Sequence, residues 1–386
     1  MFINFQTEES ITKYIELLKI TSSLSNLFSD STQPFLYYRA MENIFSKAFN
    51  ADNLSRSDLS VDASKNRIGM GLKTFLQGNG YTFQKIAEFN KQSHLLKNLN
   101  ENEIIIEISK MRNERISTTM NICELNSVIY HLITRSEHKF MIFEEKMEYI
   151  DIDNIKIKKN INNTIIFEDN KNEYNFNKSK STLYKRFDTN ENKCIKEFEI
   201  SIISDPYQFL LSNYKKINIE ESNLKEEKLK DFIVLPLYSP KYNKVMSRSG
   251  LNLWNAKGRK RNVNEVEIRI PNWIHKIKSD FFEYTTNDCK TELFKVKLPN
   301  DKIIKMKVSQ SGGKALMSNP NHDLGRWLLR EVLKIKENKL ITKEILDRIG
   351  IDSVKLTKSS NDLYELDFLQ TGSFQEYEIS NLKSNL

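Results

Sequence analysis

The chain has 386 residues, of which 39% are hydrophobic and 28% charged. That is enough apolar content to exclude disorder as its general state, and the length suits two domains. No run approaches the roughly 18 apolar residues of a membrane span, and the N-terminal MFINFQTEESITKY lacks the basic and apolar regions of a secretory signal. Cys123, Cys194 and Cys289 are far apart and form no CxxC pair, which disfavours a disulfide scaffold or zinc ribbon and fits a reducing cytoplasm. The net charge of +8 is unevenly spread: residues from Asp231 onward hold 27 basic and 19 acidic side chains, and Lys241–Pro320 alone holds 17 and 7. Such local positive charge is the electrostatic footprint of a phosphate-backbone partner.

In chain order, Leu36, Tyr37, Met41, Ile44, Phe45, Ala48 and Phe49 recur at helical spacing and predict an amphipathic helix over Phe35–Asn50. Two short strands follow, Asp58–Ala63 and Arg67–Phe75, joined by a polar turn near Ser64–Asn66. Helices are expected over Thr82–Leu99 and Glu101–Ile116, then strands at Ser127–Thr134, Lys139–Glu144, Asn163–Glu168 and Glu173–Asn177. The first part therefore reads as α/β or α+β. The charge-dense Lys215–Asp231, KKINIEESNLKEEKLKD, marks the boundary and divides the chain into 1–220 and 221–386.

Beyond it the texture changes. Phe232–Tyr238, Val263–Ile270, Leu293–Leu298, Ile303–Ser309, Ser353–Thr357 and Leu363–Phe368 read as strands. Two helices interrupt them, Leu324–Lys334 and Thr342–Ile349, the second with Thr342 as N-cap and Gly350 as its stop. Many short strands predict a small barrel or sandwich, expected to fold alone from about Asp231. Two of its loops combine base-edge donors, cations and a ring. The first places Arg248, Asn252, Asn255, Arg259, Lys260 and Arg261 around Trp254; the second offers Gln310, Ser311, Lys314, Asn319 and Asn321 beside the pair Gly312–Gly313. Asn and Gln can pair with adenine and Arg with guanine, while Lys neutralises phosphate.

The segments SGLNLWNA, EVEIRIPNWI and VSQSGGKALMSNPNHDLGRWLLREVL carry a resemblance. The region Asp231–Thr371 resembles the C-terminal DNA-binding domain of NgoFVII-type restriction endonucleases, a plant B-three-like pseudobarrel. The resemblance implies sequence-specific binding of double-stranded DNA at a short target, with the two loops standing as recognition arms. In that family the partner domain is a phospholipase-D-like nuclease that needs His-x-Lys. None of His94, His131, His138, His275 and His322 is followed two residues later by Lys, so that chemistry is disfavoured here.

Residues 57–75, SDLSVDASKNRIGMGLKTF, resemble instead the core of a PD-(D/E)XK nuclease, with LKT as in the ELKT form. Period-two alternation puts Asp58, Ser60 and Asp62 on one face of the first strand and Gly69, Gly71 and Lys73 on one face of the next, and the turn near Ser64–Asn66 brings the two faces together. By this resemblance Asp62 (or Asp58) holds Mg²⁺, and Lys73 positions or activates the attacking water. Gly71 stands where the second carboxylate is expected. Two substitutes are open: Glu88, one helical turn from Gln84 and a metal ligand together with Asp62, or Glu42 on the preceding helix. No Walker loop or dinucleotide fingerprint is present, so no nucleotide cofactor is expected.

The reading is a Mg²⁺-dependent type II restriction endonuclease of the cytoplasm. A PD-(D/E)XK-like α/β core cuts and a mainly-β pseudobarrel reads, in a chain expected to act as a homodimer without a membrane. The rival is a non-catalytic sequence-specific DNA-binding protein or regulator, kept open by Gly71.

Overall fold

The structure is a computed structural model that describes residues 1–54, 59–217, 230–285 and 288–383. It divides into two compact units. Unit 1 comprises Met1–Glu88, Leu99–Lys110 and Leu125–Glu227; unit 2 comprises Phe89–Asn98, Met111–Glu124 and Lys228–Leu386.

Unit 1 holds two sheets. The first runs β1 (Asp52–Asn53), β2 (Ala63–Lys65), β3 (Ile68–Leu76), β5 (Ser127–Ser136), β6 (Lys139–Lys146) and β11 (Lys196–Glu199). β3 and β5 are parallel and the other pairs antiparallel. The second is an antiparallel sheet in the order β4 (Tyr81–Glu88), β10 (Thr182–Asp188), β9 (Glu173–Asn177), β8 (Thr164–Glu168) and β7 (Lys156–Ile161). Helices α1 (Glu8–Ser23) and α2 (Tyr38–Phe49) lay Tyr14, Leu18, Met41, Phe45 and Phe49 against Met70, Leu72, Ile133, Phe140 and Ile142 of the first sheet. The other face of that sheet meets the second through Tyr130 and Phe75, each against Phe187.

One polar chain runs through the α-helical side of the first sheet. The Tyr14 hydroxyl meets His131 Nε2 at 2.9 Å, and His131 Nδ1 meets Glu144 at 2.9 Å. Glu144 also accepts the Ile3 N–H at 3.2 Å. His131, in the apolar run VIYHLITR, is thus a satisfied core histidine.

The helix expected over Thr82–Leu99 is not present. Tyr81–Glu88 is a strand, followed by a 3-10 helix at Asn90–Leu96. The reason is tertiary: β10, about a hundred residues away, supplies the backbone partners of Tyr81–Glu88. The expected strand Asp58–Ala63 begins in residues outside the described ones, and the strand proper is Ala63–Lys65.

In unit 2, β12 (Phe232–Pro236), β13 (Ile268–Arg269), β14 (Phe294–Lys297), β15 (Ile303–Ser309), β16 (Ala315–Ser318), β17 (Ile351–Lys358) and β18 (Leu363–Gln370) form one sheet. Its order is β12-β17-β18-β14-β15-β16-β13, parallel only at β14–β18. The terminal strands β12 and β13 contact each other, so the sheet is a nearly closed barrel. The remaining helices are α3 (Glu101–Ile122), α4 (Pro206–Ile217), α5 (Asn272–Ile277), α6 (Asp323–Gly325), α7 (Lys343–Ile349) and α8 (Ser373–Lys383). α6 runs on into a wider helical segment at Arg326–Val332, and α7 has the expected cap, with Thr342 accepting from Ile345 N–H and Gly350 at φ 78°. No helix among the described residues is long and apolar enough to cross a membrane.

Unit 2 also draws on upstream sequence. Arg348 grips Glu114 at 2.9 and 3.0 Å, Asn121 donates to the Val332 carbonyl at 3.1 Å, and the Arg115 guanidinium lies 4.5 Å over the Phe89 ring. A fragment starting at Asp231, expected to fold alone, would leave these groups behind.

The polar chain in unit 1 generates one prediction. Glu144→Ala strands the His131 Nδ1–H and the Ile3 N–H in an apolar core, so it should cost roughly 3 kcal/mol. An unchanged urea midpoint in that variant would show that the network carries no stability.

Candidate functional site

In unit 1, β2 and β3 form a hairpin, and Asp62 enters it from the side. Its N–H donates to the Met70 carbonyl at 2.8 Å and its carbonyl accepts from Leu54 N–H at 2.9 Å. Its Oδ2 accepts the Leu72 N–H at 2.7 Å, so the side chain replaces a missing rung of the ladder. Burial pushes the Asp62 carboxyl above the usual aspartate range, against the opposing pull of Lys73, the Leu72 N–H and Arg39. Arg39 in turn pairs at 2.9 Å with Glu42, a buried carboxylate on α2. Lys73 and Arg39 thus both act on the Asp62 charge, and Arg39 also pairs with Glu42.

The other candidates stand elsewhere. Gln84 and Glu88 are not one helical turn apart, because both lie on β4 of the second sheet, where Glu88 pairs with Lys85 at 3.0 Å. Asp58 lies outside the described residues. Gly71 shares its strand face with Lys73, but its surroundings are filled. A Cβ there would come within 2.8 Å of the Met147 methyl and 3.1 Å of the Tyr130 ring. Among the described residues, no three His, Cys, Asp or Glu side chains gather as a metal centre. Mg²⁺ keeps several waters and binds through one or two carboxylates plus substrate phosphate, a set for which Asp62 and Glu42 are the carboxylates in question here.

In unit 2, two buried carboxylates organise the loops. Glu265 accepts from Arg259 and from Asn321 at 3.1 Å, and has Arg261 at 3.6 Å. Glu267 accepts from Arg269 at 3.1 Å, from Gln310, and from Gly250 N–H at 3.4 Å. Both are essentially fully buried, at 0% and 1% exposure. Glu265 binds Arg259 and Arg261 of the first loop and Asn321 of the second, and Glu267 binds Gly250 of the first and Gln310 of the second, so the pair ties the two loops together. Sequence reasoning missed them, although the alternation in EVEIRI was the available signal.

Of the loop residues, Arg248, Asn255, Lys260, Ser311 and Asn319 are exposed, and Lys314 is half-buried. Arg259, Arg261, Gln310 and Asn321 are held by the two glutamates. Asn255 also donates to the Ser247 carbonyl at 2.9 Å, and Trp254 is half-buried. Asn252 must be corrected. It is fully buried, donates to the Met246 and Ile341 carbonyls at 3.1 and 2.9 Å, and accepts Ile341 N–H at 2.9 Å, so it cannot reach a base edge. The Gly312–Gly313 pair is also built inward. Gly312 N–H donates to Asp288 at 2.6 Å, and His275 Nε2 donates to the Gly313 carbonyl at 3.0 Å. Gly313, at φ 62°, has the Cys289 carbonyl where a Cβ would stand.

Residues 224–360 match the family model of the NgoFVII C-terminal B3-like DNA-binding domain, a restriction-enzyme domain. No curated protein matches the chain.

Two predictions follow from these geometries. Asn252→Ala should destabilise the protein by roughly 3 kcal/mol, whereas Lys260→Ala should leave the midpoint within about 0.5 kcal/mol and weaken all duplex binding with a reduced salt slope. Urea denaturation and salt titrations separate the two. For Asp62, the folded chain holds the proton more tightly than the unfolded chain, so the stability this group contributes is lost as pH rises from the ordinary value of 3.8 through the raised one. The uncharged Asp62→Asn should therefore melt above the parent at pH 7–8 and lose that advantage toward pH 4. Equal melting temperatures across the whole range would contradict the assignment.

Proposed function

We propose that this chain is a Mg²⁺-dependent restriction endonuclease, in which residues 1–220 cut and residues 221–386 read a short DNA sequence. The reading half rests on the match of residues 224–360 to a restriction-enzyme DNA-binding domain. The cutting half rests on one observation: a half-buried Asp62 whose carboxyl is pushed above the usual aspartate range, in the field of Lys73 and of Arg39, which itself pairs with the buried carboxylate of Glu42. Buried acids beside a lysine are characteristic of sites that manage a developing charge. The hairpin β2–β3, the parallel β3–β5 pair and the helix α3 lying between those strands in sequence support a PD-(D/E)XK-like core.

In this reading Asp62 and Glu42 would hold the metal, which would supply charge neutralisation at the phosphate and a more acidic water. Lys73 would orient the attacking water and stabilise the charge that grows on the phosphoryl oxygens. Arg39 keeps the two carboxylates compatible before substrate arrives. Duplex cleavage by one site per chain calls for two chains, so a homodimer is part of the proposal. The filled space at Gly71 favours a second reading, a DNA-binding protein whose N-terminal part no longer cuts.

The test is incubation with unmethylated bacteriophage DNA in Mg²⁺ and in EDTA. Discrete fragments in Mg²⁺ alone are expected. Lys73→Ala and Glu42→Gln should each lower cleavage at least about a hundredfold, with duplex binding unchanged. Normal cutting by Lys73→Ala would move the active site elsewhere, and binding without cutting by the parent protein would establish the second reading.

A further inference from the structure

Beside the recognition loops, unit 2 contains a cleft of about 780 Å³. Its lining includes Ser249 and Gly250 from the first loop and Lys314 from the second, so it opens where the two loops meet. Its walls carry the rings of Tyr238, Tyr242 and Trp273, and its polar groups include Glu267, Arg269 and Glu378. The Trp273 indole N–H donates to Glu378 at 3.1 Å, which fixes the ring, and Trp273 also packs on Tyr377 at 5.8 Å. Tyr242 is 56% exposed, with Lys241 and Lys244 lying 5.3 and 5.7 Å from its ring.

We infer that this cleft receives a single nucleobase turned out of the bound duplex. The inference rests on the DNA-reading role proposed above and specifies what one part of that domain does. The rings offer faces that stack on any base, and the charged groups around them are mixed, Glu267 and Glu378 against Lys241, Arg269 and Lys314, so the lining pairs a stacking surface with cations for the flanking phosphates. Glu267 is already taken by Arg269, Gln310 and the Gly250 N–H, so Glu378, whose Oε1 takes the Trp273 indole N–H, is the carboxylate left to accept from an exocyclic amine, and the cleft favours a base carrying one, cytosine or adenine. The lysines beside Tyr242 lie at the cleft and suit the phosphates flanking an everted nucleotide. Eversion costs unstacking and unpairing, least at a mismatched position, and the cleft offsets that cost only at the base it accepts.

The test uses the full chain and duplexes that it selects from a random pool with Ca²⁺ in place of Mg²⁺. Each adenine of the selected site is replaced by 2-aminopurine and each cytosine by pyrrolocytosine, and each base pair is mismatched in turn. At one position the fluorescence should rise severalfold on binding, and a mismatch there should tighten binding roughly tenfold. Tyr242→Ala, at an exposed position, and Trp273→Phe should both reduce the fluorescence rise while selective binding persists. If every probe stays quenched and no mismatch tightens binding, although the site is still selected, the base remains stacked and the inference is wrong. If no sequence is selected at all, the DNA-reading role itself fails and takes this inference with it.

Discussion

The recognition half of this protein depends on two carboxylates that have been taken out of water. A buried glutamate that lacks donors costs several kcal/mol, so Glu265 and Glu267 are tolerable only because other groups are drawn to them. Those groups are Arg259, Arg261 and Asn321 for the one, and Arg269, Gln310 and the Gly250 N–H for the other. Because each glutamate takes partners from both loops, neither loop is free to choose its own shape. The loops are thereby set before any ligand arrives, which lowers the ordering cost of recognition. The exposed Arg248, Asn255, Lys260, Ser311 and Asn319 are carried on that frame.

The first unit handles buried charge in the opposite way. Asp62 keeps its proton more readily than an ordinary aspartate because its burial outweighs the attraction of Lys73 and Arg39. Such under-compensation disfavours the ionised form of Asp62 in the folded protein. The Tyr14–His131–Glu144 chain shows the contrast within the same unit. There a strand histidine, a strand glutamate and a helix tyrosine satisfy one another, and the result is packing, not reactivity. Two polar clusters of similar composition thus differ in whether their partners balance the charge.

The space beside Gly71 adds a constraint on how the site is built. Tyr130, its direct neighbour on β5, and Met147 occupy the volume where a side chain at 71 would project. In the proposed site the second carboxylate would therefore come from helix α2 as Glu42, the partner of Arg39, and not from the strand that bears Lys73. A site assembled from a helix and a hairpin depends on the packing of α2 on the first sheet, which the Phe45, Phe49 and Met70 contacts secure.

Much of this was written locally and could be read from the chain alone. The amphipathic helix at Tyr38–Phe49, the strands Ile303–Ser309 and Leu363–Gln370, the capped α7 and the basic character of the loops all follow from periodicity, caps and charge, which act over a few residues. Asp62 and Lys73 were also within reach, because a hairpin joins them. What the sequence could not decide was every outcome set by a distant partner. Tyr81–Glu88 became a strand because Thr182–Asp188 lies beside it, and Asn252 became a buried bracket because Ile341 comes to it. Met111–Glu124 joined the second unit because Arg348 and Val332 receive it. Glu265 and Glu267 are the charged members of the alternation in EVEIRI, yet both are buried. Periodicity states which face a residue occupies; only the assembled fold states what lies against that face, and there the cost of an unpaired buried group selects the arrangement.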